Sequence, residues 1–273
     1  MSCIVIYGPT ASGKSDYALT IPNADIINGD SLQSYADLQI LTARPDPSLP
    51  HHYLYGSLPS NSQDSVMSWR NRVAERIQNA YASGRTPVVV GGTGFYLNVL
   101  IHGIAVIPSI PEEIIREVRS LSEEALFLRA DQLDTRILQR LKDRQRIQRA
   151  VCVHLATDKP LFDWHNAPKD CLPYIFSLHP VIIDKQVLHT RINQRFEQMI
   201  EQGAIEEVAR LKENFPLSIN SPIANALGFK EIWAYLDGQS SKEQMIALGQ
   251  RKTRQYAKRQ MTWLTTLQKN IRS

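Results

Sequence analysis

Residues 8–15 read Gly8, Pro9, Thr10, Ala11, Ser12, Gly13, Lys14 and Ser15, which satisfies the spacing G-x-x-x-x-G-K-[ST] directly after an apolar run. Before a helical stretch, that spacing is the pattern of a phosphate-binding loop. Glycines let backbone N–H groups converge on phosphate oxygens, Lys14 adds a cation, and the Ser15 hydroxyl can hold Mg2+. Two further stretches fall where loops leaving strands are expected: Asp30, Ser31, Leu32 and Gln33, then Gly91, Gly92, Thr93 and Gly94. In a doubly wound parallel sheet the loops at the carboxyl ends of neighbouring strands open into one crevice. An acid, a hydroxyl and an amide would then face a bound phosphate. Asp30 serves there as a base or a Mg2+ ligand, or it only caps the following helix. Likewise 91–94 is either a substrate contact or a plain strand-to-helix turn.

The elements that must position these residues are short. Apolar, β-branched runs at 3–7, 25–28 and 87–90 are expected strands, and 65–83 is an expected helix with Val66, Trp69, Val73, Ile77 and Tyr81 at steps of three and four before Gly84. Between about 108 and 173 the strand signal fades, and 112–149 reads as charged helices. An apolar run at 174–178 returns to the sheet, Asp184 is positioned to cap a helix reaching Gly203, and 242–269 reads as helix. The expected fold class is α/β, a P-loop NTPase-like parallel sheet with flanking helices and a helical insert. Residues 1–107 and 172–273 would form the core with basic C-terminal helices, and 108–171 the insert.

With 273 residues, 43% of them hydrophobic, the chain can bury a sizeable core without staples. Cys3, Cys152 and Cys171 form no C-x-x-C pair, and the opening residues break into Gly-Pro too soon for a signal peptide. No apolar run approaches a membrane span, so a cytoplasmic protein is expected. The seven histidines lack ligand spacing and no G-x-S-x-G elbow occurs, which argues against zinc and acyl-transfer chemistry. Net charge is only +4, yet basic residues cluster. Arg136, Arg140, Lys142, Arg144, Arg146 and Arg149 stand against Asp143 alone, and no acid follows Glu243 while Arg251, Lys252, Arg254, Lys258, Arg259, Lys269 and Arg272 do. Such runs are solvated helix faces or contacts to an anionic backbone. The interleaved Gln145, Gln148 and Gln255 can also read base edges.

Taken together, the motifs resemble those of the bacterial tRNA dimethylallyltransferase (tRNA isopentenyltransferase) family over nearly the whole chain. The resemblance rests on GPTASGKS at 8–15, GDSLQSYADLQILTARP at 29–45, HHY at 51–53, GGTGFYLNVL at 91–100, DRQRIQRA at 143–150, RINQRFEQM at 191–199, LGFKEIWAYLDG at 227–238 and RQYAKRQMTWL at 254–264. It implies transfer of a five-carbon allylic group from dimethylallyl diphosphate to N6 of adenosine-37 of tRNA, with diphosphate released. The loop at 8–15 would hold diphosphate with Mg2+ at Ser15, Arg195 would be a further diphosphate ligand with Arg191 its competitor, and Asp30 would be the base on N6. Ser31, Leu32 and Gln33 would line the adenosine pocket, with Thr93 at the reacting end of the tRNA. Gln145, Arg146, Ile147, Gln148 and Arg149, and also Arg116, match tRNA-contacting positions. The helical insert and the basic tail would grip the anticodon stem, and a monomer is expected. Leu41 and Arg44 stand where the family more often has Gly and Lys, Leu32 replaces a common Met, and 120–134 is shorter than usual. Two other readings of the same residues are a P-loop small-molecule kinase, with Asp30 on an acceptor hydroxyl, and a non-catalytic RNA-binding module.

Overall fold

The computed structural model of the protein describes residues 1–46, 48–62, 64–164, 167–214 and 221–272; beyond residue 267 it describes only the backbone of the last helix. The β-branched runs become strands: β1 (Ser2–Tyr7), β2 (Ala24–Asn28), β3 (His52–Tyr53), β4 (Thr86–Gly91), β5 (Ile104–Ala105), β6 (Lys169–Asp170) and β7 (Ile175–Pro180). Five of them form one parallel sheet in the order β3-β2-β4-β1-β7. In the registers Ile4↔Val88 and Ile6↔Val90, both strands are walled in, which is why β4 reads as unbroken valine rather than as an alternation. Each fully buried Val or Ile contributes roughly 1.5–3 kcal/mol of transfer free energy.

The chain leaves β1 through the loop at 8–13 into α1 (Lys14–Leu19), skips one strand position to β2, and returns through α2 (Val66–Ala82) to β4 between them. The loops after β1, β4 and β2 therefore emerge side by side, the arrangement that opens a crevice at strand ends. Helix α2 begins at Ser65, whose side chain accepts the Ser68 N–H, and buries Trp69, Val73, Ile77 and Ala80 on one stripe. Then comes α3 (Gly94–His102). The expected strands and the helix at 65–83 are all present, and the edge strand β3 is an addition. Two residues give no period to detect.

The chain divides into two compact units, Met1–Ile101 with Leu172–Ser273, and His102–Cys171. The second starts ahead of 108, where the sequence signal changes, because β5 pairs antiparallel with β6. It holds α4 (Glu112–Ser120), α5 (Glu123–Leu133), α6 (Arg136–Arg140), α7 (Arg144–Thr157) and α8 (Leu161–Trp164) around Val118, Leu126, Ile137, Ile147, Val151 and Phe162. The first unit continues after β7 with α9 (Lys185–Glu201), α10 (Ala204–Asn214), α11 (Phe229–Leu236) and α12 (Lys242–Arg272). Asp184 caps α9 as expected, its carboxylate accepting the Gln186 N–H at 2.7 Å and the Val187 N–H at 3.3 Å. No helix among the described residues is long and apolar enough to cross a membrane.

Candidate active site

The loop after β1 carries two backbone conformations that phosphate loops need. Gly13 has φ +93° at the N-cap of α1, open to glycine at little steric cost, and Ala11 has φ +61°. A non-glycine residue held there stores strain of order 1–2 kcal/mol, which persists only where neighbours impose it. Lys14 folds back so that Nζ donates to Pro9 O at 2.7 Å. Burial lowers its pKa to about 8; the Arg195 guanidinium pushes the same way, and the Asp30 carboxylate opposes both. Ser12 Oγ is buried with no hydrogen-bond partner among the described residues, whereas Ser15 is exposed.

Asp30 is held from below. Its N–H donates to Asn28 Oδ1 at 2.8 Å, its carbonyl accepts from Asn28 Nδ2 at 2.9 Å, and Asn28 is fully buried. Asp30 Oδ1 accepts the Leu32 N–H at 3.0 Å. Asp30 is nonetheless not the cap of the short 3-10 turn Leu32–Ser34, whose N-cap is Ser31 with no side-chain cap bond; its one oxygen closes only this local bond. Its charge is felt nearby: burial first, then Asp30, raises the Tyr55 phenol, and the same pair of causes pushes Tyr256 up to about 12. Ser31 N–H donates to Thr93 Oγ1 at 3.3 Å, which joins the loops after β2 and β4. Gln33 Nε2 donates to Thr42 O at 2.9 Å and Ala43 O at 3.2 Å, so its amide pins a neighbouring loop.

These loops surround a cavity of about 580 Å3. It is lined by Thr10 to Ser15, Asp30, Leu32 and Gln33, and by Arg191 and Arg195 from α9. Gly8, Pro9, Ser31 and Thr93 are not among its lining residues, and the last two meet each other. Arg195 is largely buried; desolvation lowers its pKa, and Asp30 and Asp16 oppose that. Two arginines, a desolvated lysine and a phosphate loop around one carboxylate form a pocket for a polyanion with a base beside it.

In the His102–Cys171 unit, Asp143 caps α7 by accepting the Arg146 N–H at 3.1 Å. Gln145, Arg146 and Arg149 are exposed, Gln148 is half-buried, and Arg116 on α4 is exposed beside Glu113 at 3.7 Å. Ile147 does not belong with them. It is 1% exposed in the core of this unit, because the helical period turns one position in the stretch inward. Arg136 pairs with Asp134 and Asp163, and Arg144 donates to Leu121 O at 2.5 Å, so both are fixed within the fold. On α12, Arg254 is bound to Asn193 Oδ1 at 2.5 Å and Lys252 to the buried Glu231 at 2.5 Å. Lys258 and Arg259 remain exposed, and the side chains of Lys269 and Arg272 lie outside the described residues.

A family model described as IPP transferase matches residues 33–267. The chain belongs to the IPP transferase family. A tRNA dimethylallyltransferase of Zymomonas mobilis is 41% identical over 95% of this chain and 86% of its own length. Another, of Azorhizobium caulinodans, is 42% identical over 95% and 88%. Among solved structures, a tRNA delta(2)-isopentenylpyrophosphate transferase of Staphylococcus epidermidis matches with a TM-score of 0.66 at 29% identity, covering 96% of this chain and 89% of that one. A eukaryotic dimethylallyltransferase acting on tRNA shares the fold, with a TM-score of 0.83 at 24% identity over 96% and 69%.

The fold class expected from the motifs is thus that of an IPP transferase, and among the residues of the cavity that had no role in the sequence reading are two of α12. Tyr256 and Gln260 of α12 line it, Tyr256 beside Thr93 and Gln260 bonding both the phosphate loop and the turn after β4. Their signal was their phase: with Thr253 and Trp263 they fall at steps of three and four on a helix whose other faces carry the charge.

Proposed function

We propose that this IPP transferase transfers a dimethylallyl group from dimethylallyl diphosphate to the exocyclic N6 of adenosine-37 of tRNA, in the cytoplasm. The observation that supports this reading best is one cavity shared by Asp30, the loop at 8–15 and Arg195. Adenosine in a loop is extruded at lower cost than in a duplex, which lets N6 reach a half-buried carboxylate. As the new N6–C bond forms, the allylic C–O bond breaks and its electron pair leaves with diphosphate. Asp30 accepts the N6 proton on the oxygen not taken by the Leu32 N–H, a role worth about 10²–10⁴ in rate. Lys14, Arg195 and the loop amides receive the negative charge where it grows.

Among the described residues no group of three or more His, Cys, Asp or Glu could hold a metal ion. The donors present nonetheless suit Mg2+, which takes hard oxygens and usually keeps waters and substrate phosphates beside one or two protein ligands. The exposed Ser15 hydroxyl would hold it, and when bound it would offset charge on the diphosphate. Leu32 and Gln33 would border the adenosine, with Ser31 and Thr93 fixing their loop. Arg116, Gln145, Arg146, Gln148 and Arg149 would meet the anticodon stem.

Incubation with dimethylallyl diphosphate and unmodified tRNA, followed by nucleoside mass spectrometry, should show one C5H8 unit gained on a single adenosine. ATP consumption without that gain would replace this reading with a small-molecule kinase.

A further inference from the structure

Gln260 is 6% exposed, and both ends of its amide are committed. Oε1 accepts the Thr10 N–H at 2.8 Å and Nε2 donates to Gly92 O at 2.8 Å. Thr10 belongs to the phosphate loop after β1 and Gly92 to the turn after β4, so one side chain ties the loops of two adjacent strands. Gly92 leaves room for it: a Cβ there would overlap the Gln260 amide and approach Gly8 O at 2.9 Å. One helical turn to either side, Tyr256 lies beside Thr93 and the Trp263 ring lies against Gly94. Helix α12 thus presses a stripe onto the turn after β4 and hydrogen-bonds the phosphate loop through Gln260, while its Ala257 belongs to an apolar cluster against which Ala11 packs.

We infer, building on the proposed diphosphate chemistry, that Gln260 is a positioning residue that holds the phosphate loop open for a diphosphate. It touches no reacting atom and acts through Thr10. The residue after Thr10, Ala11, sits at φ +61°, a conformation that relaxes unless something imposes it. An amide can impose it because it accepts and donates at once; a carboxylate in its place cannot donate to Gly92 O, and a thioether supplies neither bond. With Thr10 fixed, the remaining loop N–H groups are aimed before the anion arrives, and binding does not have to order them.

The test compares the full-length protein with Gln260→Met, which keeps the volume, Gln260→Glu, which keeps one bond, and Gly92→Ala, which displaces the amide from the other side. Calorimetric titration with inorganic diphosphate reads the loop directly, and KM for dimethylallyl diphosphate and for tRNA are measured alongside. Expected are about 10-fold weaker diphosphate binding and a matching rise in KM for the allylic diphosphate in all three, the size of one or two lost hydrogen bonds. KM for tRNA should stay within about twofold, a split that general loosening of the fold would not give. Wild-type diphosphate affinity in Gln260→Met, or equal rises in both KM values, overturns the inference and leaves the proposed function standing. Failure of the wild-type protein to bind diphosphate overturns both.

Discussion

Asn28 grips Asp30 by both of its backbone groups, accepting the N–H at 2.8 Å and donating to the carbonyl at 2.9 Å. The same Nδ2 also donates to Leu54 O and Ser34 Oγ, each at 3.1 Å, and Trp69 Nε1 caps the Asn28 carbonyl at 2.9 Å. The carboxylate at the centre of the cavity is therefore aimed by a buried polar network one strand-end deep. Such a network is strong only when complete.

Asn28→Asp should break it, because a carboxylate oxygen would then face the carbonyls of Asp30 and Leu54. Each buried group left unpaired costs about 1–3 kcal/mol, so the denaturant midpoint should fall clearly. Prenyl transfer should slow at the kcat level while diphosphate binding holds, since the loop at 8–15 is supported separately. A folded Asn28→Ala variant with wild-type kcat would show that Asp30 needs no such aim.

Lys14 gives a pH signature. With its pKa at about 8 in the native state and 10.5 otherwise, the unfolded chain holds more protons at this site between those values. Stability of the ligand-free protein should therefore rise with pH across that window, and the desolvation cost is fully present below it. A bound diphosphate restores the proton, so affinity for dimethylallyl diphosphate should decline above about pH 8. Lys14→Arg, whose guanidinium does not titrate there, should flatten the decline. Equal pH profiles for the two proteins would rule out Lys14 as its source.

What the sequence made legible follows from range. The phosphate loop, the strands at 3–7, 25–28 and 87–90, and the cap at Asp184 are set by neighbours within a few residues, where spacing is informative. Asn28 was readable in principle, as a lone amide ending an apolar strand. Gln260 was not: its partners Thr10 and Gly92 lie 250 and 168 residues away, and within a basic helix it looks like another solvated amide. Motif resemblance erred at Ile147 for the opposite reason, carrying a contiguous stretch over without asking which side of the helix each residue takes.

Glu207 of α10 should prove to be the anchor of the segment at 39–44. Its buried carboxylate accepts three successive N–H groups, those of Gln39 at 2.7 Å, Ile40 at 2.9 Å and Leu41 at 2.9 Å. Leu41, Thr42 and Ala43 line the cavity, and Gln33 ties down the far end of the segment. Glu207→Ala would orphan all three donors and should cost roughly 3 kcal/mol or more, with Glu207→Gln intermediate. Hydrogen exchange read at those three amides should accelerate beyond the global change; protection lost evenly over the molecule would contradict a local anchor.

The basic face of α12 can be divided by its contacts. Arg254 is spent on Asn193 and Lys252 on Glu231, so removing either should lower stability before it affects RNA. Lys258 and Arg259 are exposed, although Arg259 also sits 5.5 Å over the Tyr256 ring, which makes Lys258 the cleaner probe. If these two meet phosphates, Lys258→Ala should weaken tRNA binding and reduce the slope of log affinity against log salt by about 0.7–0.9, with the double variant losing about twice that. Diphosphate affinity should stay within about twofold, since neither residue lines the cavity. An unchanged salt slope would mean that this face is only solvated charge, leaving the grip on tRNA to other surfaces.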